Sequence, residues 1–140
     1  MKKVLTILLV LVGVTCVPWV AKGWTQRRLD EKVAKFNTSS ENLIMGIQQY
    51  KEFVGTYPAG NNAAIAKALL GQSEKKVLIL AVRHADVNDK GEILDPWGTP
   101  LQFYFSHNEV MIRSAGPNKI FEDSAFPMAD DLYRCASKEK

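Results

Sequence analysis

Residues 29–57 read LDEKVAKFNTSSENLIMGIQQYKEFVGTY, and this stretch predicts the fold of the chain. One series of apolar residues in it recurs at alternating intervals of four and three, with one vacancy at Ser40. They are Leu29, Val33, Phe36, Leu43, Ile47, Tyr50, Val54 and Tyr57. Intervals of three and four place side chains on one face of an α-helix. The stretch therefore predicts a helix with a single apolar stripe, which the rest of the chain has to cover.

The polar run at residues 37–40 leaves two alternatives for this helix. Its residues are weak helix formers, and Thr38 with Glu41 three positions later matches a capping box, which would begin a second helix. The pattern of fours and threes nevertheless continues in phase on both sides, which favours one helix. Tyr57 and Pro58 are expected to follow its end, because the residue before a proline disfavours helical backbone angles.

Residues 4–21, upstream of this helix, contain no charged side chain. As a helix they would extend over about 27 Å, close to the thickness of the hydrocarbon core of a bilayer. Two lysines precede them, as in a signal peptide or signal anchor, and residues 21–23 would also permit cleavage. We therefore expect residues 1–23 to be a membrane anchor or signal segment and residues 24–140 to form one soluble domain.

Composition and charge limit the classes of function. A hydrophobic content of 46% and a charged content of 24% are typical of a globular domain. The net charge of +3 is spread along the chain, without a long basic run. Nucleic acid is therefore not an expected partner.

The two cysteines are not expected to form a disulfide. Cys16 lies in the apolar run, whereas Cys135 lies in what the sequence indicates to be a polar C-terminal tail. Cys16 leaves two interpretations open, a lipid attachment site or a buried thiol.

The rest of the chain predicts a short helix and a small antiparallel sheet. An asparagine pair can cap a helix over residues 63–70. The run VLILAV at 77–82 predicts a buried strand or an extended core segment. Alternating apolar residues at 101–105 predict a strand, and residues 109–113 can return antiparallel to it after a tight turn. We expect an α+β fold in which this sheet covers the stripe of the long helix.

Residues 95–100 read DPWGTP and predict a rigid corner. Its two prolines fix backbone angles, Gly98 permits a turn that other residues avoid, and Trp97 supplies a large apolar anchor. We interpret this segment as structural.

Side chains that carry oxygen accumulate between residues 114 and 131. They include Ser114, Asn118, Glu122, Asp123, Asp130 and Asp131. Calcium takes six to eight oxygen ligands and accepts backbone carbonyls among them. The region is therefore either a calcium-binding loop or a solvated acidic segment.

A small exported enzyme is an alternative of a different class. Its candidate groups would be His84, His107, Asp86, Asp95 and Ser106. The sequence contains no Gly-x-Ser-x-Gly, no His-Glu-x-x-His and no phosphate-binding loop, and its histidines and cysteines lack zinc-ligand spacing. We therefore expect a protein that is not an enzyme and has no small-molecule substrate.

Three motifs in this order resemble the G-type major pseudopilins of type II secretion systems. They are Tyr57-Pro58 after the long helix, LDPWGTP at 94–100, and SAGPN at 114–118 with the aspartate pair at 130–131. The likeness extends from about residue 36 to residue 133. It implies a long N-terminal helix, a short second helix and a small C-terminal sheet. It also implies a subunit of a short periplasmic fibre that acts as a piston in the export of folded proteins.

The resemblance also implies calcium as a ligand of the loop after the last strand. Asn118, Asp130 and Asp131 would be its side-chain ligands, with carbonyl oxygens near Ser114 and Ile120. Asn118 stands where the family usually has aspartate, and Glu122 or Asp123 would supply the missing charge in this longer loop.

The resemblance implies other pseudopilin subunits, packed through the N-terminal helix, and the secretion machinery as partners. The protein would cross the bacterial inner membrane once, with its C-terminal domain in the periplasm. However, Val4 replaces the glycine of the family's peptidase site, and Leu9 replaces the glutamate that neutralises a neighbour's N-terminus during assembly. Two functions therefore stay open, an assembly subunit and an anchored or secreted interaction module that has the same fold but does not polymerise.

Overall fold

The computed structural model describes residues 2–72, 74–79, 85–107, 109–122 and 130–137, with side chains from residue 24 to residue 136 within these ranges. The chain divides into two compact units, Met1–Ala34 and Lys35–Lys140. The elements in chain order are α1 (Lys2–Val54), α2 (Asn62–Leu69), β1 (Gln102–Ser106), β2 (Glu109–Ser114) and β3 (Leu132–Ser137). The predicted α+β class is confirmed. The predicted domain boundary after residue 23 rests on hydrophobicity and stays a prediction.

Helix α1 continues without a break through residues 37–40, so the one-helix alternative is the one observed. The hydroxyl of Ser39 donates a hydrogen bond to the Phe36 carbonyl at 3.2 Å, which satisfies this polar side chain within the helix. The helix ends at Val54, and Gly55 follows with a φ of +87°. Its N–H donates to the Lys51 carbonyl at 2.8 Å, as in a left-handed helix cap.

In the unit Lys35–Lys140, the apolar stripe of α1 is part of the core. Phe36 and Ile47 are 1% and 0% exposed. Ser40, the vacancy in the predicted stripe, is also buried, so the stripe continues through this position. The core further contains Leu43, Tyr50, Ile65, Leu69, Ile93, Trp97, Leu101, Val110 and Ile112.

The sheet has the order β1-β2-β3 and is antiparallel throughout. Phe103 of β1 lies opposite Ile112 of β2, which confirms the predicted hairpin. Two polar contacts join α1 to this sheet. Lys51 Nζ donates to the His107 carbonyl at 2.7 Å, and Arg134 pairs with Glu41 at 3.3 Å.

Strand β3 was not predicted from the sequence. The assignment of Cys135 to a polar tail is wrong, since this residue lies in β3 opposite Met111 of β2. The tail interpretation failed because the segment reads LYRCAS, whose apolar alternation is weak without knowledge of its partner strand. Cys135 is a free, exposed thiol, and the side chain of Cys16 lies outside the described residues.

Helix α2 confirms the predicted short helix and begins one residue earlier than expected. The Asn61 side chain caps it by accepting a hydrogen bond from the Ala64 N–H at 3.0 Å. In the predicted segment 77–82, Leu78 forms a single bridge with Leu70, and Ile79 is buried. Leu78 is 55% exposed and Val77 is half-buried, so within the described part of this segment only Ile79 belongs to the core, and residues 80–82 lie outside the described residues.

No helix within the described residues has an apolar run that is long enough to cross a membrane. The predicted membrane segment, 4–21, belongs to the part of α1 whose side chains lie outside that description. Its role as an anchor stays a prediction.

Candidate metal centre

The corner at 95–100 is tied by hydrogen bonds to the end of β2. Asp95 is 3% exposed, and its Oδ1 accepts from the N–H groups of Trp97 and Thr99 at 2.9 and 2.8 Å. Its Oδ2 accepts from the Ser114 hydroxyl at 2.6 Å. The oxygen of that hydroxyl in turn accepts from the Gly116 N–H at 3.0 Å. Two motifs that are distant in sequence are thus joined, and the turn after β2 is held in place by the corner.

Gly116 lets two parts of the loop between β2 and β3 come close together. Its φ is +64°, a conformation that favours glycine. A Cβ atom at this position would overlap the carbonyl oxygen of Asp130. The glycine therefore brings the backbone of Asp130, which is near the start of β3, against the turn after β2.

Three carboxylates meet in this loop. Glu122, Asp130 and Asp131 each offer an oxygen, and these oxygens lie within 4.8 Å of one another. Calcium binds oxygen at 2.3–2.6 Å, so oxygens on opposite sides of the ion are about 5 Å apart. For magnesium, at 2.0–2.1 Å, the corresponding separation is about 4.2 Å. The cluster fits within the diameter of a calcium coordination sphere.

Each of the two aspartates of this cluster has one buried oxygen without a hydrogen-bond partner among the described residues. These oxygens are Oδ1 of Asp130 and Oδ1 of Asp131. The Asp131 side chain is only 1% exposed, so water does not readily solvate this oxygen. A buried carboxylate oxygen without a partner is costly. A hard cation between the carboxylates would satisfy both oxygens, and the donor set therefore fits calcium.

The other oxygens of the two aspartates are already engaged. Oδ2 of Asp130 accepts from the Asn118 N–H at 3.1 Å. Oδ2 of Asp131 accepts from Nε of Arg113 at 2.6 Å, and the Arg113 guanidinium also pairs with Asp131 through Nη2. The same Nη2 donates to the main-chain carbonyl of Glu122.

Arg113 is enclosed by the loop and by strand β3. Its guanidinium lies 5.3 Å from the ring centre of Phe121 and 5.4 Å from that of Tyr133. Burial by itself would lower the pKa of Arg113, whereas the hydrogen bond to Asp131 raises it, and the net effect is a pKa above the usual value. Arg113 therefore carries a positive charge at neutral pH.

Of the residues implied as calcium ligands, the structure brings Asp130 and Asp131 together. Glu122, which the sequence indicated only as a substitute for a missing charge, completes the cluster. A loop has no periodicity from which to predict which acidic residue points inward. Asp123 lies outside the described residues.

The remaining implied ligands have other contacts in the structure. Oδ1 of Asn118 accepts from the Ile120 N–H at 2.7 Å, and the Ser114 hydroxyl donates to Asp95. Ile120 is 63% exposed. Asn118 contributes to the site through its main chain, by donating to Asp130.

The residues considered as catalytic groups lie at different places in the fold, and two of them, Asp86 and Asp95, make structural contacts. Asp86 pairs with Lys35 at 2.7 Å on the surface, and both oxygens of Asp95 are engaged in the corner. His107 is an exposed turn residue between β1 and β2. His84 lies outside the described residues.

An open groove of about 450 Å³ lies between the start of α2 and strand β1. One of its polar lining residues, Asn62, uses its side chain within the fold. Asn62 Nδ2 donates to the carbonyls of Ile93 and Leu101 at 2.9 and 2.8 Å, and its Oδ1 accepts from the Ile93 N–H at 2.6 Å. This asparagine therefore joins α2 to the segment before β1.

Comparison with known proteins adds no assignment. No family model matches the chain, and no significant match was found among curated proteins or among solved structures.

Proposed function

We propose that this chain is a pseudopilin-like structural subunit of a type II secretion-type export apparatus. Residues 4–21 would anchor it in the bacterial inner membrane, and residues 24–140 would form a periplasmic domain stabilised by calcium. The proposal is supported by the element order, since a long helix, a short helix and an antiparallel sheet are what the resemblance implies. The observation that carries it is the carboxylate cluster, which contains two of the implied calcium ligands, Asp130 and Asp131, although its loop precedes the last strand, β3, and does not follow it.

The cation would hold the loop between β2 and β3 closed. Oδ1 of Asp130, Oδ1 of Asp131 and the carboxylate of Glu122 would bind it, because the first two have no other partner among the described residues. Calcium supplies positive charge to buried carboxylates and tolerates irregular oxygen geometry. Gly116 allows the required approach of the two loop segments.

Assembly would use the side of α1 that the domain does not cover. Met45 and Phe53 on this helix are 50% and 76% exposed, although both side chains are large and apolar. In the proposed assembly these two side chains would pack against another protein surface. They support a helix-on-helix partner, a second pseudopilin-type subunit.

Thermal unfolding of the purified protein in detergent tests the calcium part of the proposal. At a calcium concentration of 100 times the Kd, binding stabilises the folded state by about 2.7 kcal/mol. For a domain of this size, the midpoint should rise by about 10 °C relative to a chelator. Asp131→Asn should abolish most of this rise, whereas Asp86→Asn, a surface control, should keep it. An unchanged midpoint in the unsubstituted protein would refute the calcium site.

An interaction module of the same fold that does not polymerise is the second candidate. It is favoured by Leu9, which cannot supply the negative charge that the family uses during assembly. Mass spectrometry of the protein extracted from membranes separates the two candidates. A methylated internal N-terminus is expected for the assembly subunit, and an intact Met-Lys-Lys start is expected for the module.

A further inference from the structure

We infer that Arg113 is a built-in counter-cation of the carboxylate cluster. Its guanidinium holds the loop between β2 and β3 closed without a metal ion, and its charge lowers the affinity of the cluster for that ion. Occupancy of the site would then follow the calcium concentration outside the inner membrane, because the loop does not depend on a permanently bound ion. The inference concerns the cation site of the proposed function and rests on it.

Arg113 makes the connections that a bound cation would make. It lies in β2, the central strand, opposite Tyr133 of β3. From there it bonds to the carbonyl of Glu122 on the first side of the loop and to the carboxylate of Asp131 on the second side. One positively charged side chain therefore bridges both sides of the loop.

The Asp131 carboxylate has one oxygen bound to Arg113 and one oxygen that a second positive partner would satisfy. Its Oδ2 faces Arg113, whereas its Oδ1 is buried and has no partner among the described residues. Because this side chain is 1% exposed, solvent does not explain the second oxygen. The oxygen is available to an ion without breaking the pair with Arg113.

The formal charge of the site, counted over the described residues, matches a divalent ion. Glu122, Asp130 and Asp131 carry three negative charges, and Arg113 offsets one of them, which leaves two. A divalent ion would neutralise the remainder. Without Arg113 the site would retain three negative charges and should attract the ion more strongly.

Coulomb's law gives the expected size of the loss of calcium affinity that the charge of Arg113 causes. Repulsion between a guanidinium and a divalent ion a few Å apart corresponds to at least about a tenfold loss of affinity, even with a water-like dielectric constant. The loop-closing bonds of Arg113 act in the opposite direction, because they pre-order the site. The neutral substitution Arg113→Gln removes the charge and keeps a hydrogen-bond donor.

Calcium titration calorimetry and thermal unfolding of the full chain in detergent test the inference. In a chelator, R113Q should melt below the unsubstituted protein, because the loop has lost its bridge. Its calcium Kd should be lower by about tenfold, and its midpoint should rise more when calcium is added. The matched control is R134Q, which removes the same charge from β3. Arg134 pairs with Glu41 and lies opposite Ile112, on the other face of the sheet from Arg113. The calcium Kd of R134Q should therefore equal that of the unsubstituted protein.

The possible outcomes separate this inference from the proposed function. If the unsubstituted protein binds calcium and R113Q binds no more tightly, the inference is overturned and the calcium site stands. If only R113Q binds, the charge of Arg113 excludes the ion from the native site, which refutes the calcium-stabilised native domain and also overturns the inferred dependence of its occupancy on calcium concentration. Binding by neither protein overturns both.

A second variant covers the case in which R113Q does not fold. R113K keeps the charge and loses the forked geometry of the guanidinium. Its midpoint in a chelator should fall, and its calcium Kd should stay within about threefold of that of the unsubstituted protein. A tenfold tighter Kd for R113K would show that geometry and not charge limits the affinity, and would overturn the inference.

Discussion

The bond between Asp95 and Ser114 should contribute a measurable part of the free energy of unfolding, because it is buried and charge-assisted. The Ser114 hydroxyl donates to Oδ2 of Asp95 at 2.6 Å, and Asp95 is 3% exposed. Hydrogen bonds to charged groups contribute about 1.5–3 kcal/mol. Asp95→Asn keeps an oxygen for the N–H groups of Trp97 and Thr99 but presents an NH₂ group to Ser114. We expect Asp95→Asn and Ser114→Ala each to lower the free energy of unfolding by about 1.5–3 kcal/mol.

A double-mutant cycle isolates the bond itself. The double variant should be less destabilised than the sum of the two single variants, with a coupling of about 1.5–3 kcal/mol. Urea unfolding followed by tryptophan fluorescence is a suitable assay, because Trp97 is 8% exposed and lies in the corner. Asp86→Asn is the control, since Asp86 is an exposed aspartate in a surface ion pair and should change stability by less than about 0.5 kcal/mol. Strictly additive effects of Asp95→Asn and Ser114→Ala would refute the connection between the corner and the end of β2.

Local geometry predicts how two further substitutions change the free energy of unfolding, and urea unfolding measures both changes. Ser40→Ala should raise the free energy of unfolding by about 1 kcal/mol, because Ser40 is 0% exposed and its hydroxyl has no hydrogen-bond partner among the described residues. Ser39→Ala is its neighbouring control, and a loss of stability in Ser40→Ala would contradict the reasoning. Gly116→Ala should destabilise by about 1–3 kcal/mol more than Gly98→Ala, since both glycines have positive φ but only a Cβ at position 116 would meet the Asp130 backbone. Equal losses for the two glycines would contradict the close approach of the loop segments.

The sequence predicted those elements whose side chains repeat with a period. The apolar intervals of α1 and the alternation in β1 come from one-sided burial, and burial on one face leaves a pattern that can be read locally. Strand β3 was missed because its pairing depends on β2, and residues such as Arg134 obscure its alternation. The sequence indicated an acidic loop with the aspartate pair as candidate ligands, and these two aspartates lie in one cluster with Glu122. It could not indicate that Ser114 donates to Asp95 or that Arg113 enters the cluster, because both contacts depend on how distant segments fold together.

The carboxylate cluster also helps to hold β3 against β2. Among the described residues, β3 pairs with β2 alone, so its hydrogen bonds have to offset the entropy of closing the loop that precedes it. The described part of that loop offers little apolar burial, as the 63% exposure of Ile120 illustrates. Arg113 on β2 and Asp131 before β3 form a pair that is shielded from water, and the hydrogen bond between them helps to offset the cost of removing both charges from water. A proposed calcium ion would add to this attraction through the two aspartate oxygens that Arg113 does not reach, so that strand pairing and ion binding would stabilise each other.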